Sequence, residues 1–330
     1  MPSIPDPLLP AELFRPIIQY LADDRQTLCA ISVTCRMLQQ EGQRGLYKKM
    51  THSMNVDIHI KFLGTILENN RLALLVEEYC QDTVVHYRRG ILWDYLCRGL
   101  RAMVNLKILH FRAFGGQPAS EILTGCTFQL KGLSWGSHSD ENGLSDFIPH
   151  QHDLEGLNVE WDEEKHQLIP PTSCPRLKVL RGNRGALEAF LANRRIISVA
   201  WIPQLEDSLN RSVEHLSSEL SRLRFFAFGG YFDRPSLNSI YTYLHSVEVL
   251  ELVGIRDRVR DLSQARESFQ AELVYLHRSY PFFPSWKNCA SLSSRVRGET
   301  SRPLSHPISD QTSSATFSWG ANGCRKFTYS

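Results

Sequence analysis

Apolar residues recur in the middle of the chain in one short pattern. Seven segments have the form apolar-x-x-apolar-x-apolar, and we call the second apolar residue of each segment its middle anchor. The middle anchors are Leu109, Leu133, Leu157, Leu180, Val199, Phe226 and Leu250. Successive anchors are separated by 24, 24, 23, 19, 27 and 24 residues, and the fourth segment ends in Gly182 where an apolar residue is expected. This alternation predicts a short strand with one buried face at every anchor.

The intervals between the anchors also leave room for helices. Helical segments are predicted in SEILTG, ENGLSDFI, GALEAFLA, SVEHLSSEL and SLNSIYTYL, whereas Pro170-Pro171 stands in place of a helix before the fourth segment. A strand and a helix recurring about every 20–29 residues is typical of leucine-rich repeats, which stack into a solenoid with a parallel sheet on one face. A doubly wound α/β domain also contains short apolar strands. Both alternatives belong to the α/β class, and the regular spacing favours the solenoid, although the consensus Asn after each strand is largely missing.

A compact helical segment precedes the repeats. Its two apolar stripes consist of Phe14, Ile17, Ile18 and Leu21, and of Leu28, Ile31, Cys35 and Leu38. Pro16 would cost about 3 kcal/mol inside a helix, so we expect a helix that begins with Pro16 at its first position. Three short helices in some forty residues bury little apolar surface alone. Part of that surface is therefore expected to meet the rest of the chain or a partner.

The same segment carries a recognisable series of motifs. Leu9-Pro10-x-Glu12-Leu13 is followed by Ile17-Ile18-x-x-Leu21, Thr27-Leu28 and Thr34-Cys35-Arg36. The fuller run LPAELFRPIIQYLADDRQTLCAISVTCRMLQ resembles the F-box of the large fungal F-box families, especially those of mushrooms. The resemblance covers residues 8–50, and the repeats that follow agree with it because F-box proteins often carry leucine-rich repeats. The main departure is Leu38, where many F-boxes have Trp.

The resemblance implies a role in a Skp–cullin–F-box ubiquitin ligase. The F-box would dock on the Skp adaptor, and through it on cullin, while the repeats would hold a protein substrate. Catalysis would then be proximity supplied by the complex, so the chain itself is expected to be no enzyme and to need no cofactor. The motif match assigns the adaptor-facing surface and its immediate core to Leu9, Pro10, Ile17, Ile18, Leu21, Leu28, Val33, Cys35 and Leu38.

These observations divide the chain into four parts. We predict an F-box at residues 6–50, a helical linker at 51–104, and a leucine-rich-repeat-like solenoid at 105–280 that ends in a helix over 257–280. Residues 281–330 are rich in Ser, Thr and Pro and show no helical or alternating period, which predicts a disordered tail. The tail holds six Lys or Arg against two acidic residues, a net charge of +4, and leaves −2 for residues 1–280.

The solenoid interpretation also predicts a substrate surface. Strand side chains that flank the anchors point away from the helices and would line the open face of the sheet. The candidate substrate-binding residues are His110, Arg112, Ser134, Asn158, Glu160, Arg181 and Glu251. The set contains both charge signs and lacks an Arg cluster suited to a phosphopeptide. Arg181 and Arg184 come nearest to such a cluster, and both are expected to be solvated.

Composition narrows the class of protein and the compartment in which we expect it. The chain is 42% hydrophobic and 22% charged with a net charge of +2, which is typical of a globular protein without a general attraction to nucleic acid or anionic membranes. No apolar run approaches the roughly 18–20 residues of a membrane helix. The start MPSIPDPLLP does not resemble a secretory signal. Eight cysteines without a C-x-x-C pair indicate free thiols, and we expect a cytoplasmic or nuclear protein.

Two other functions stay open from the sequence. The repeats could form a protein-interaction scaffold that never joins a ligase. A metal-dependent enzyme is a more remote alternative, built on His138, His150, His152 and His166 between Cys126 and Cys174. Structural zinc sites usually show closer pairs such as C-x-x-C, and the sequence contains no nucleophile signature of a known hydrolase class.

Overall fold

A computed structural model of the chain describes residues 11–21, 24–50, 55–85, 90–114, 118–137, 139–203, 212–230 and 240–254. The predicted helix at 257–280, the predicted tail at 281–330, and Leu9 and Pro10 lie outside the described residues.

Within the described residues, nine parallel strands form one sheet, and the α/β class predicted from the sequence is confirmed. The strands are β1 (Lys49–Met50), β2 (Glu78–Val85), β3 (Ile108–Phe114), β4 (Gly132–Gly136), β5 (Gly156–Val159), β6 (Val179–Gly182), β7 (Ser198–Trp201), β8 (Phe225–Gly230) and β9 (Val249–Gly254). Each strand pairs with the next one along the chain, so the order runs from β1 to β9 without reversal. A doubly wound sheet reverses its order at a switch point, so this sheet does not have the doubly wound order.

The middle anchors lie side by side across the sheet. Leu109 pairs with Leu133, Leu133 with Leu157, and the row continues through Leu180, Val199, Phe226 and Leu250. All seven anchors are buried. The spacing of the apolar pattern therefore identified both the strands and their register.

The sheet begins earlier than predicted. The segment 51–104, expected to be a helical linker, contains β2, and the row of anchors continues from Leu109 back to Tyr79 and Met50. The stretch RLALLVEEY is helical only in its first residues. The prediction was wrong because buried Gln81 occupies the position that Phe111 holds in the next strand, which breaks the apolar pattern. β1 is only two residues long and offers no pattern to detect.

Nine α-helices are described. They are α1 (Ala11–Gln19), α2 (Arg25–Ser32), α3 (Arg36–Lys48), α4 (Val56–Glu68), α5 (Asn70–Ala73), α6 (Ile91–Ala102), α7 (Glu141–Phe147), α8 (Arg184–Phe190) and α9 (Ser217–Leu220). Short 3₁₀ helices lie at Ser120–Leu123, Ile148–His150, Glu163–Leu168, Glu214–Leu216 and Tyr241–Tyr243. The predicted helices in the intervals thus occur partly as α-helices and partly as 3₁₀ turns. The interval with Pro170-Pro171, predicted to have no helix, contains the 3₁₀ helix Glu163–Leu168.

Helix α1 contradicts the expected restart at Pro16. The helix runs from Ala11 to Gln19 with Pro16 inside it. Proline in this position removes one hydrogen bond of the helix, the one to the Glu12 carbonyl. Burial of Ile18 offsets part of this loss, and the exposed Arg15 Nη2 lies 3.2 Å from Glu41 Oε1 of α3.

Gly182 departs from the apolar pattern because α8 begins immediately after β6 and returns close to the strand. A Cβ atom at residue 182 would lie 2.6 Å from the Ala186 Cβ and would collide with the Val159 carbonyl oxygen. Backbone atoms cannot move aside as a flexible side chain can. Only glycine fits at this point of the sheet.

This close approach predicts that Gly182→Ala destabilises the fold by about 1–3 kcal/mol, the usual cost of overpacking. Gly132→Ala is the matched control, because a Cβ at this strand glycine would come no nearer than 3.8 Å to Ile108. Thermal and urea unfolding of both variants measure the difference. Equal unfolding midpoints would contradict the contact between α8 and β6.

Candidate functional site

The first candidate surface lies on the three-helix module formed by α1–α3. Asp24 caps α2, where its carboxylate accepts hydrogen bonds from the Thr27 amide at 3.0 Å and the Thr27 hydroxyl at 2.6 Å. Gly42 and Gly45 of α3 face α2. A Cβ at Gly45 would lie 3.0 Å from the Leu28 Cδ2. These glycines let the two helices approach closely, so Leu28 is fully buried.

The structure separates the predicted adaptor residues into two groups. Ile18 and Leu28 are buried inside the module and cannot contact a partner in this conformation. Ile17 is 47% exposed and Val33 is 85% exposed. The remaining described members are the exposed Cys35 and the half-buried Leu21 and Leu38.

Three further apolar side chains of the module are exposed and were not predicted as contacts. They are Leu13, Tyr20 and Met37, with Tyr20 92% exposed. Leu13 and Ile17 are spaced i and i+4 on α1 and share one face of that helix, whereas Tyr20 lies in the turn directly after the helix ends at Gln19. The helical period could therefore have found Leu13. We refer to Leu13, Ile17, Tyr20, Val33 and Met37 together as the exposed apolar set.

The module is joined to the sheet without a linker. Helix α3 ends at Lys48 and β1 begins at Lys49. The Tyr47 ring of α3 stacks on Phe62 of α4 with centroids 5.8 Å apart, and Phe62 stacks on Tyr79 of β2 at 6.1 Å. Buried His59 adds a hydrogen bond between its Nδ1 and the Tyr79 hydroxyl at 3.1 Å. Backbone continuity and aromatic packing together fix how the module meets the first strands.

The second candidate surface is the open face of the sheet. In β3 the burial alternates along the strand, with Leu109 and Phe111 buried, His110 half-buried and Arg112 exposed. Strand pairing places five of the seven predicted substrate residues in one continuous row. In order across the sheet, the row reads Cys80, His110, Ser134, Asn158, Arg181, Ala200, Ala227 and Glu251.

Within this row, side chains of neighbouring strands contact each other. Asn158 Nδ2 donates a hydrogen bond to Ser134 Oγ at 2.8 Å. Arg181 is half-buried beside Asn158. The backbone of Glu251 pairs with Ala227, and the structure describes only the backbone of this residue.

The other predicted substrate residues lie outside this row. Arg112 stands two positions further along β3 and covers Gly136 of β4, whose Cβ would lie 3.3 Å from Arg112 Nε. Its guanidinium also lies 5.9 Å from the centre of the Phe114 ring. Glu160 is exposed just past the end of β5.

Arg184 was expected to be solvated, and the structure shows it buried. Its side chain is 2% exposed. Its Nε lies 2.9 Å from Glu188 Oε1, and its Nη2 donates to the Ser212 carbonyl oxygen at 3.0 Å. A buried guanidinium is stable only when its charge and donors are matched in this way. Arg184 therefore belongs to the framework and not to a binding surface.

Titratable groups collect on the open face of β1–β3. Lys49 Nζ lies 3.1 Å from Glu78 Oε1, and the Cys80 thiol lies 3.6 Å from both oxygens of Asp82. Burial, reinforced by Asp82, raises the pKa of Cys80 to about 12. Burial also lowers the pKa of neighbouring His110, against the opposing pull of Glu78 and Asp82. At neutral pH the thiol stays protonated, which is the wrong state for a nucleophile.

The histidines and cysteines of the metal-enzyme alternative do not form a metal site in the described part of the chain. His150 and His152 are exposed, and His166 Nδ1 donates to the Glu163 carbonyl oxygen at 2.7 Å. Cys126 and Cys174 each contact a backbone carbonyl oxygen, and His138 lies outside the described residues. Across the described ranges, no three His, Cys, Asp or Glu residues are placed to hold a metal ion.

Within the same described ranges, every helix is too short or too polar to cross a bilayer. No protein-family model and no curated protein matches the chain.

The environments of the thiols predict a clear order of reactivity. Cys29 and Cys35 are exposed, whereas burial raises the pKa of Cys80 and Cys126 to about 12 and that of Cys174 to about 11. Among the six cysteines of the described ranges, alkylation with iodoacetamide at mildly alkaline pH, followed by peptide mass spectrometry, should therefore modify Cys29 and Cys35 first. Labelling in denaturant is the control for intrinsic reactivity. Native labelling of Cys174 as fast as that of Cys29 would contradict the described core.

The lowered pKa of His110 predicts a pH dependence of stability. Below the ordinary histidine value of about 6.5, the unfolded chain binds a proton more tightly than the folded chain, so the free energy of unfolding falls as the pH drops. The variant His110→Gln should lose less stability than the wild type between neutral and mildly acidic pH, as measured by urea unfolding. His152→Gln, which removes an exposed histidine, serves as the control. The same loss in His110→Gln and wild type would refute this role of His110.

Proposed function

We propose that this protein is the substrate-receptor subunit of a Skp–cullin–F-box ubiquitin ligase. In this proposal α1–α3 form an F-box that docks on the Skp adaptor, and β1–β9 form an irregular leucine-rich-repeat-like solenoid that holds a protein substrate. The observation that carries it is a three-helix module with exposed apolar side chains, joined directly to a sequential parallel sheet with an open face. The resemblance of residues 8–50 to fungal F-boxes supports the same assignment.

The exposed apolar set provides the contact that the adaptor would cover. Tyr20 and Val33 are almost fully accessible, and Ile17 is accessible over about half of its surface. Removing such a side chain from water contributes about 1.5–3 kcal/mol when it becomes fully buried. A few such contacts are enough for a stable complex if the partner offers complementary pockets.

The open face of the sheet suits a protein partner. Its central row contains donors, acceptors and charges of both signs, and the Ser134–Asn158 hydrogen bond holds two of these side chains in place. Mixed polar groups on a rigid scaffold recognise a partner by hydrogen bonding and charge complementarity. The protonated state of Cys80 agrees with a binding role rather than a nucleophilic one.

A ligase receptor acts by positioning its substrate near the conjugating enzyme. Ubiquitin transfer is accelerated when the acceptor lysine is held near the loaded conjugating enzyme, so the receptor must keep adaptor and substrate in a fixed relation. The direct α3–β1 connection and the Tyr47–Phe62–Tyr79 stack provide such a relation in this chain. A flexible linker at this point would weaken the effect.

A second candidate is a protein-interaction scaffold outside any ligase. Leu38, where many F-boxes have Trp, favours it because a half-buried leucine presents less surface to an adaptor than an indole ring. Both candidates use the same open face. They differ in whether the module recruits an adaptor and a cullin.

Charged substitutions in the exposed apolar set distinguish the two candidates. Ile17→Asp and Val33→Asp should each weaken binding to a fungal Skp adaptor at least about tenfold, because an aspartate would be desolvated in the interface. Gln19→Asp, at an exposed polar position of the same helix, should bind as the wild type does. Co-expression, size exclusion and calorimetric titration measure the effect.

The experiment must distinguish a loss of adaptor binding from a loss of folding. All three variants should retain the wild-type unfolding midpoint, since none of the substituted side chains is buried. Wild-type protein that elutes apart from the adaptor while well folded would leave the scaffold as the better assignment. Full adaptor binding by both aspartate variants would refute the assigned contact surface.

A further inference from the structure

A row of side chains at the beginning of the strands forms a second surface, separate from the central row of the open face. Its members stand two residues before each middle anchor. The Ile197 amide donates to the Lys178 carbonyl oxygen at 3.0 Å, and the Arg224 amide donates to the Ile197 carbonyl oxygen at 2.9 Å. Lys178, Ile197 and Arg224 therefore lie side by side at the spacing of adjacent strands, about 4.8 Å.

Three arginines accompany this row. Arg176, Arg195 and Arg222 stand four residues before the anchors of β6, β7 and β8, one buried position away from Lys178, Ile197 and Arg224. All five cations are exposed, and Ile197 at the centre is 46% exposed. We call these six residues the Ile197 patch: Arg176, Lys178, Arg195, Ile197, Arg222 and Arg224.

The outer cations of the patch are engaged in ion pairs with carboxylates that border it. Arg176 Nη1 lies 2.6 Å from Asp153 Oδ1, Lys178 Nζ lies 3.1 Å from Glu155 Oε2, and Arg224 Nε lies 3.8 Å from Glu248 Oε1. Arg222 is paired with Glu219 behind the patch at 3.4 Å. Exposed pairs of this kind contribute little to stability, so carboxylates of a partner can replace them at small cost.

Arg195 differs from the other four cations. It lies between Arg176 and Arg222 in the series, and it makes no ion pair with any residue of the described ranges. Because no carboxylate of the described residues pairs with Arg195, its charge leaves a positive potential beside the exposed aliphatic side chain of Ile197. This combination is the complement of an apolar residue flanked by carboxylates.

We infer that the Ile197 patch binds an acidic segment of a partner protein in which carboxylates flank one apolar side chain. The apolar side chain packs on Ile197, one carboxylate pairs with Arg195, and others exchange with the bordering acids for Lys178 and Arg224. Nucleic acid fits less well, because a sugar–phosphate backbone has no aliphatic side chain to pack on the exposed Ile197 at the centre of the patch. The inference rests on the proposed function only in taking that partner as the ligase substrate.

The test uses the full chain and two fluorescein-labelled peptide pools. Both pools surround one central residue with Asp and Glu; the centre is Leu, Ile, Val, Phe or Met in the first pool and Ser in the second. Fluorescence anisotropy should show tighter binding of the apolar-centred pool, with an affinity that falls as salt is added. Ile197→Ser should reduce the affinity for the first pool to that for the second.

Charge reversal tests the contact at Arg195. Arg195→Glu should weaken binding of the first pool at least about tenfold, and Arg195→Gln less, because the gained repulsion is absent. Lys131→Glu is the matched control, since Lys131 is an exposed lysine of the same row before β4, with the same change of charge outside the patch. It should change the affinity by no more than about twofold. Unfolding midpoints establish that all variants are folded.

Several results would overturn the inference. They are failure of the first pool to bind, equal losses in Arg195→Glu and Lys131→Glu, and single-stranded RNA that binds as tightly as the first pool. Adaptor co-elution is measured on the same variants. Peptide binding without adaptor binding would refute the ligase assignment and leave the patch standing, whereas adaptor binding without peptide binding would refute the patch alone.

Discussion

The alignment of the middle anchors is the constraint on which the remaining structure depends. Each strand is short, and its stability comes from burying its anchor beside those of its neighbours. The next buried row adds ring contacts, including Phe111 on Trp135 at 4.5 Å and Trp201 against Phe228 at 5.6 Å. A slip of one residue would carry every anchor to the open face, so the buried rows hold the register of all nine strands. The open row and the Ile197 patch are consequences of this register, because they occupy fixed offsets from the anchors.

The consensus Asn is largely missing from the repeats, and individual buried or half-buried polar side chains make hydrogen bonds to the backbone in its place. Asp140 Oδ1 accepts from the Ala119 amide, Gln151 Oε1 from the Leu130 amide, and Asn183 Oδ1 from the Trp161 amide, while Arg194 Nε donates to the Ser173 carbonyl oxygen. Each contact reaches back 21 or 22 residues, to the preceding connection. Different residue types thus satisfy backbone amides and carbonyl oxygens of the preceding connections. This explains how an irregular sequence keeps a regular stack.

The apolar pattern was sufficient to predict seven strands, their register and the open row, because these follow from anchor spacing alone. It failed where local chemistry differs from the repeat: Gln81 interrupts β2, α1 tolerates Pro16, and Arg184 is buried with Glu188 where a loop arginine looks solvated. The Ile197 patch was also missed. Its cations are scattered between residues 176 and 224, and only strand pairing brings them together. Charges near turns are ordinarily solvated, so single positions carried no signal.

The aromatic junction and the strand register together determine what the two candidate surfaces can do in combination. Tyr47, Phe62 and Tyr79 connect α3 to β2, and each later strand is positioned by hydrogen bonds to the one before it. The distance from the exposed apolar set to β7 is therefore set by packed elements and not by a flexible linker. A partner segment bound at Ile197 would be presented in one orientation relative to whatever covers Ile17 and Val33. In the proposed ligase, a fixed orientation of this kind would bring the two bound partners close together, which is the catalytic contribution that the proposal assigns to this chain.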